Sequence, residues 1–109
     1  MSLTLYVWQR LTAAIMTPMI VVHIAVIFYA TRHGVTAADI LGRVRGNIGW
    51  GAFYTVFVMA ASIHATVGIR NVLTEWSRLD DRRALITASG FGVVLLGLGL
   101  RAVGGLVLP

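Results

Sequence analysis

Residues 48–69 read IGWGAFYTVFVMAASIHATVGI, a stretch with no Asp, Glu, Lys or Arg in it. An α-helix rises about 1.5 Å per residue, so about 20 residues cross a hydrocarbon core of roughly 30 Å. This stretch is long enough to do so. Working outward, residues 11–30 (LTAAIMTPMIVVHIAVIFYA) and 84–108 (ALITASGFGVVLLGLGLRAVGGLVL) are further apolar segments of spanning length, the last interrupted only by Arg101. Lipid leaves no water to pair with exposed backbone, so spans are helices or closed barrels, and three segments cannot close a barrel. The expected fold is all-α: one integral membrane domain over residues 1–109 with three transmembrane helices. Three helices alone make a thin bundle, so the chain is expected to be part of a heteromeric one.

Composition supports this reading. Of the 109 residues 58% are hydrophobic and 12% charged, where a soluble domain carries about 25% charged residues. Mean hydropathy is +0.85. With no cysteine, disulfide scaffolds and thiolate metal sites are excluded. The formal charge is +5, all nine basic residues being Arg. They sit between or at the ends of apolar segments rather than in a basic stripe, so no nucleic-acid partner is expected. The opening MSLTLYVWQR lacks the charged start and cleavage site of a signal peptide, so the first segment is expected to remain.

Two polar linkers join the spans. Residues 31–47 carry Arg32, His33, Asp39, Arg43 and Arg45; residues 70–83 carry Glu75, Arg78, Asp80, Asp81 and Arg82. On the N-terminal side Arg10, Arg70, Arg78, Arg82 and Arg83 outnumber Arg32, Arg43, Arg45 and Arg101 opposite by one. The positive-inside rule then leans towards a cytoplasmic N-terminus. In the last segment Gly90, Gly97 and Gly104 recur every seven residues with Gly92 and Gly99 beside them. That spacing returns to nearly one helix face, where a neighbouring backbone can approach closely; generic glycine enrichment of membrane helices is the alternative.

Ionisable groups within a span are costly and mark candidate sites. His64 lies among small residues, with Gly68 four positions on and so on its face. Such a face has room for a flat plate such as haem, with the imidazole as axial ligand; a hydrogen bond to a neighbouring helix is the alternative. His23 is the second such histidine. It is thirteen residues after Arg10, as His64 is twelve before Trp76, so similar depths follow if Arg10 and Trp76 mark one interface. His23 is read either as a second ligand or as a residue bonded to a helix neighbour, with Pro18 upstream freeing a carbonyl. Arg10, Arg70, Glu75 and Trp76 are expected to gather at one interface. There they suit either a quinone head group or the ordinary aromatic and Arg belt. No phosphate-binding loop, nucleophile triad or carboxylate within a span appears, so no self-contained active site is expected.

The stretch Gln9-Arg10-Leu11-Thr12-Ala13, with His64-Ala65-Thr66-Val67-Gly68 running into Val72-Leu73-Thr74-Glu75-Trp76, resembles the cytochrome b-type membrane anchors of succinate dehydrogenase (respiratory complex II). The D-type hydrophobic anchor is the nearer of the two kinds, although His-x-x-x-Gly-x-Arg over His64–Arg70 also resembles the C-type. The resemblance implies an electron-transport subunit in the bacterial inner membrane. Its partners would be a second anchor and the flavoprotein and iron–sulfur subunits, which carry FAD and the clusters. It implies His64 as the haem b axial ligand, with the second ligand on the partner anchor. It implies Arg10 near the quinone and haem propionates, Arg70 as a further propionate candidate, and Glu75 with Trp76 at the quinone. Trp76 stands where the family has Tyr, which keeps an N–H donor but alters reach and removes the phenol. His23 departs from the single-haem pattern and matches the place of a ligand in two-haem relatives, so it is the candidate second haem ligand. The alternative from another class is a non-redox membrane scaffold or assembly subunit whose histidines are structural.

Overall fold

The computed structural model describes residues 3–108. It holds four helices in order: α1 (Leu3–Arg32), α2 (Ala37–Val44), α3 (Ile48–Trp76) and α4 (Asp81–Val107). The three long ones coincide with the expected spans, and each is long and apolar enough to cross a membrane. They outrun the apolar segments because backbone hydrogen bonding continues through polar residues: α1 begins at Leu3 and α3 runs on to Trp76.

The first linker, polar in sequence, folds in part as α2. Thr36 and Asp39 form a reciprocal capping box: the Asp39 N–H donates to Thr36 Oγ1 at 3.2 Å and the Thr36 N–H to Asp39 Oδ2 at 3.0 Å. Val44 is buried, while Asp39 and Arg43 remain exposed. At its end the Gly46 N–H donates to the carbonyl of Val107 at 2.6 Å, and Arg45 Nη2 donates to that of Gly105 at 3.3 Å. The linker is thereby tied to the end of α4.

α3 is the centre of the bundle, packed against α4 and against α1. Its turn into α4 passes through Arg78, at φ 60°, and ends on Asp80, whose carboxylate accepts from the Arg83 N–H at 2.8 Å. Many of the buried positions are small, Ala60 and Ser62 on α3 and Ala84, Ala88 and Gly92 on α4, and Gly92 comes against Thr66 and the Ser62 carbonyl. Small residues suit this environment because lipid is as apolar as a leucine, so helices associate by close approach of their backbones.

The glycine spacing in α4 contains two phases, and the fold uses one. A Cβ on Gly92 would collide with Thr66 Oγ1, and a Cβ on Gly99 would lie 2.5 Å from Val58 Cγ1. Gly90 and Gly97 have nothing within 4 Å, and the atom nearest Gly104 belongs to Leu108 of the same chain. The phase expected to carry the close approach points away from α3, two residues being a rotation of about 200° around the helix.

Candidate functional site

Thr12 is the best-buried polar residue of α1, at 2% exposure, and it faces α3. Its Oγ1 lies 2.7 Å from the Trp8 carbonyl, 3.2 Å from that of Gln9, and 3.3 Å from His64 Nδ1. A hydroxyl has one proton and two lone pairs. The short contact to Trp8 takes the proton, so Thr12 faces His64 as an acceptor and His64 Nδ1 carries the hydrogen. Nε2 then keeps its lone pair. A metal-ligating histidine has this arrangement, one nitrogen donating to a fixed acceptor while the other is free to coordinate. His64 is only partly buried. The residues present therefore fit an axial ligand. Among the described residues no cluster of three or more His, Cys, Asp or Glu could hold a bare ion. A group whose iron is already held by its own macrocycle requires only such an imidazole.

Gly68, on the same α3 face, comes close to α1: a Cβ there would lie 3.6 Å from Gln9 Nε2. Gln9 Oε1 is itself buried without a hydrogen-bond partner. The small-residue face around His64 is thus shared with α1 at Gln9.

His23 lies elsewhere. Its ring meets Tyr54 edge-on at 5.9 Å and Phe57 at a tilt at 6.1 Å, and its Nδ1 is buried with no hydrogen-bond partner. The bonded neighbour that Pro18 would have supplied is not formed. The ring borders a cavity of about 810 Å³ between the far half of α1, α2 and the start of α3, with Arg43, Trp50 and Tyr54 among its walls.

Thr12 opposite His64 and His23 opposite Tyr54 define the antiparallel register of α1 and α3. Thr12 to His23 is eleven residues and Tyr54 to His64 ten, so the histidines are about 15–16 Å apart along the bundle. The similar depth expected for them does not occur. Two imidazoles on one iron must approach to about twice a metal–nitrogen bond of about 2 Å. The rings are held at different places, His64 against Thr12 and His23 against Tyr54 and Phe57, so the pair does not form one two-histidine site within the chain.

The same register separates the expected interface cluster. With Gln9 beside Gly68, Arg10 sits near the level of Val67, while Trp76 is eight residues beyond Gly68, about 12 Å further along. Arg10 is exposed, its guanidinium 5.9 Å from the Tyr6 ring centroid. Two residues from Thr12, it is turned away from α3. Glu75 and Trp76 stand exposed at the end of α3, Trp76 at 82%. Arg70 is buried inside the unit: Nη2 pairs with Asp81 at 3.2 Å and Nη1 donates to Asn71 Oδ1 at 3.0 Å. Its charge is directed at the α3–α4 turn.

Sequence reading missed Thr12 and Asp81. Thr12 stood inside the quoted motif, a hydroxyl one turn after Trp8 in an apolar span, but only the helix register identifies its partner. Asp81 falls in the polar linker of the sequence, and the fold makes it the first residue of α4, beside Arg70.

Over residues 1–100 the chain matches the family described as the succinate dehydrogenase/fumarate reductase transmembrane subunit. No curated protein and no solved structure matches it. With nearly the whole chain covered and the helical membrane architecture in place, the protein belongs to the succinate dehydrogenase/fumarate reductase transmembrane subunit family.

Proposed function

We propose that this chain is a haem b-binding anchor of succinate:quinone oxidoreductase that also contributes to the quinone site. The observation that carries the reading is His64: an imidazole within a span, its Nδ1 3.3 Å from the buried hydroxyl of Thr12, which leaves Nε2 for a ligand. Bound haem would supply a one-electron store beside the path from the iron–sulfur partner to quinone, with burial and ligation tuning its potential. The chain's own part is to hold and orient. His64 would offer Nε2, the other ligand coming from a histidine of a second anchor, since His23 is held against Tyr54 and Phe57. Trp76 and Glu75 offer an indole N–H and a carboxylate at the end of α3, where an amphipathic quinone head would meet the iron–sulfur subunit. FAD and the clusters belong to the soluble partners, which dock on the cytoplasmic face beside the N-terminus and the α3–α4 turn. Arg10 remains the propionate candidate from outside the three-helix unit. Arg70, already engaged by Asp81 and Asn71, is the weaker one. The D-type identity rests on the motif at Val72–Trp76.

The test is a reduced-minus-oxidised spectrum of the purified complex, with haem counted per copy of this chain, repeated for His64→Ala. One haem, lost in the variant, is the expected result. Full haem retention in His64→Ala would remove His64 as ligand. A count of two would bring His23 in as ligand to a separate haem.

A further inference from the structure

We infer that Thr12 is the positioning residue of the His64 imidazole, so that α1 governs a ligand carried by α3; the inference rests on His64 being the haem ligand. Three observations support it. Thr12 comes from a different helix and is almost fully buried, so its hydroxyl answers to the protein and not to solvent. That hydroxyl cannot rotate freely, because its proton is directed at the Trp8 carbonyl at 2.7 Å, with the Gln9 carbonyl at 3.2 Å on the same side. His64 Nδ1 lies 3.3 Å away, with Thr12 the side chain that meets this ring nitrogen. The result is a two-step relay of hydrogen bonds, from the imidazole N–H to the threonine oxygen and from its O–H to a helix carbonyl.

Hydrogen bonds in series polarise one another: a hydroxyl that donates to a carbonyl is a better acceptor for the next donor. An imidazole whose Nδ1–H is accepted this way has more electron density at Nε2, which favours the oxidised iron. Second-sphere acceptors of this type hold ring orientation and ligand basicity, and their loss typically weakens metal binding by about 10–100-fold. Valine has nearly the volume of threonine, so Thr12→Val keeps the packing and removes the hydroxyl, both the acceptor facing His64 and the donor to the Trp8 carbonyl. Thr12→Ser keeps the oxygen.

The experiment uses the purified complex and reads the haem midpoint potential by redox titration, the low-spin EPR signal of the oxidised form, and haem per chain. Succinate oxidation by an artificial acceptor on the soluble partners serves as the assembly check. Thr12→Val is expected to move the potential upward, shift the EPR signal and loosen haem, and Thr12→Ser to restore all of these. In the unsubstituted complex, ¹⁵N NMR of the reduced, diamagnetic state is expected to show a proton on His64 Nδ1. A Thr12→Val complex matching the parent in potential and EPR, or a Nδ1 without its proton, overturns the role of Thr12 while a haem-free His64→Ala leaves the ligand in place. Haem retained in His64→Ala overturns both.

Discussion

At the scale of single residues, the polar groups of this chain divide by whether the bundle has already engaged them. Arg70 is 6% exposed and committed to Asp81 and Asn71, so its charge holds the α3–α4 turn. The partner carboxylate is 82% exposed, and a pair with so wet a member contributes little by itself. Trp76 is the opposite case, an indole left open at a helix end. If its N–H contacts the quinone, Trp76→Phe removes one hydrogen bond, of about 1 kcal/mol, while keeping the ring. The expected outcome is a rise of about fivefold in the KM for quinone, with succinate oxidation by an artificial acceptor unchanged. Steady-state assays with the two acceptors check this, and an unaltered quinone KM removes Trp76 from the site.

At the scale of elements, α4 supplies a paired test because its glycines occupy two phases. Gly92→Val drives a branched side chain into Thr66 and the Ser62 carbonyl and is expected to cost about 1–3 kcal/mol through overpacking. Gly97→Ala meets nothing within 4 Å and is expected to stay within about 0.5 kcal/mol. Thermal denaturation of the purified complex compares them, and equal effects would contradict the packing of α4 on α3. The short helix α2 gives a pH test. Bonds from Thr36, first its backbone N–H and then its hydroxyl, together with nearby Arg43, hold the Asp39 carboxyl below its usual value of 3.8. A lowered carboxylate contributes stability that is fully present above the unfolded value and is lost as pH falls through the folded one. The protection of the α2 amides, relative to their intrinsic exchange at each pH, is therefore expected to be unchanged down to about pH 5 and to fall below 3.8, and Asp39→Asn to remove that dependence.

At the scale of the whole molecule, the helices form a body of 48 × 24 × 22 Å whose outer faces are apolar, with Val21, Ile24 and Phe28 each about three-fifths exposed. Such faces suit lipid or the helices of another chain. The number and approximate extent of the spans were legible in the sequence, because the need to satisfy backbone groups in lipid makes any long uncharged segment a helix. His64 was legible as well, since an ionisable group within a span is rare enough to notice. Segment lengths carry no information on how far one helix slides past another. That offset decided that His23 and His64 stand about 15–16 Å apart and not at one depth, and it put Arg10 short of Trp76. It also chose Gly92 and Gly99 over Gly90 and Gly97, and brought Thr12 to the ring of His64. The sequence by itself determined which segments enter the membrane, because that depends on local transfer energies. Tertiary structure alone decided which polar atoms meet there, because hydrogen bonds between helices depend on register and rotation that no single segment encodes.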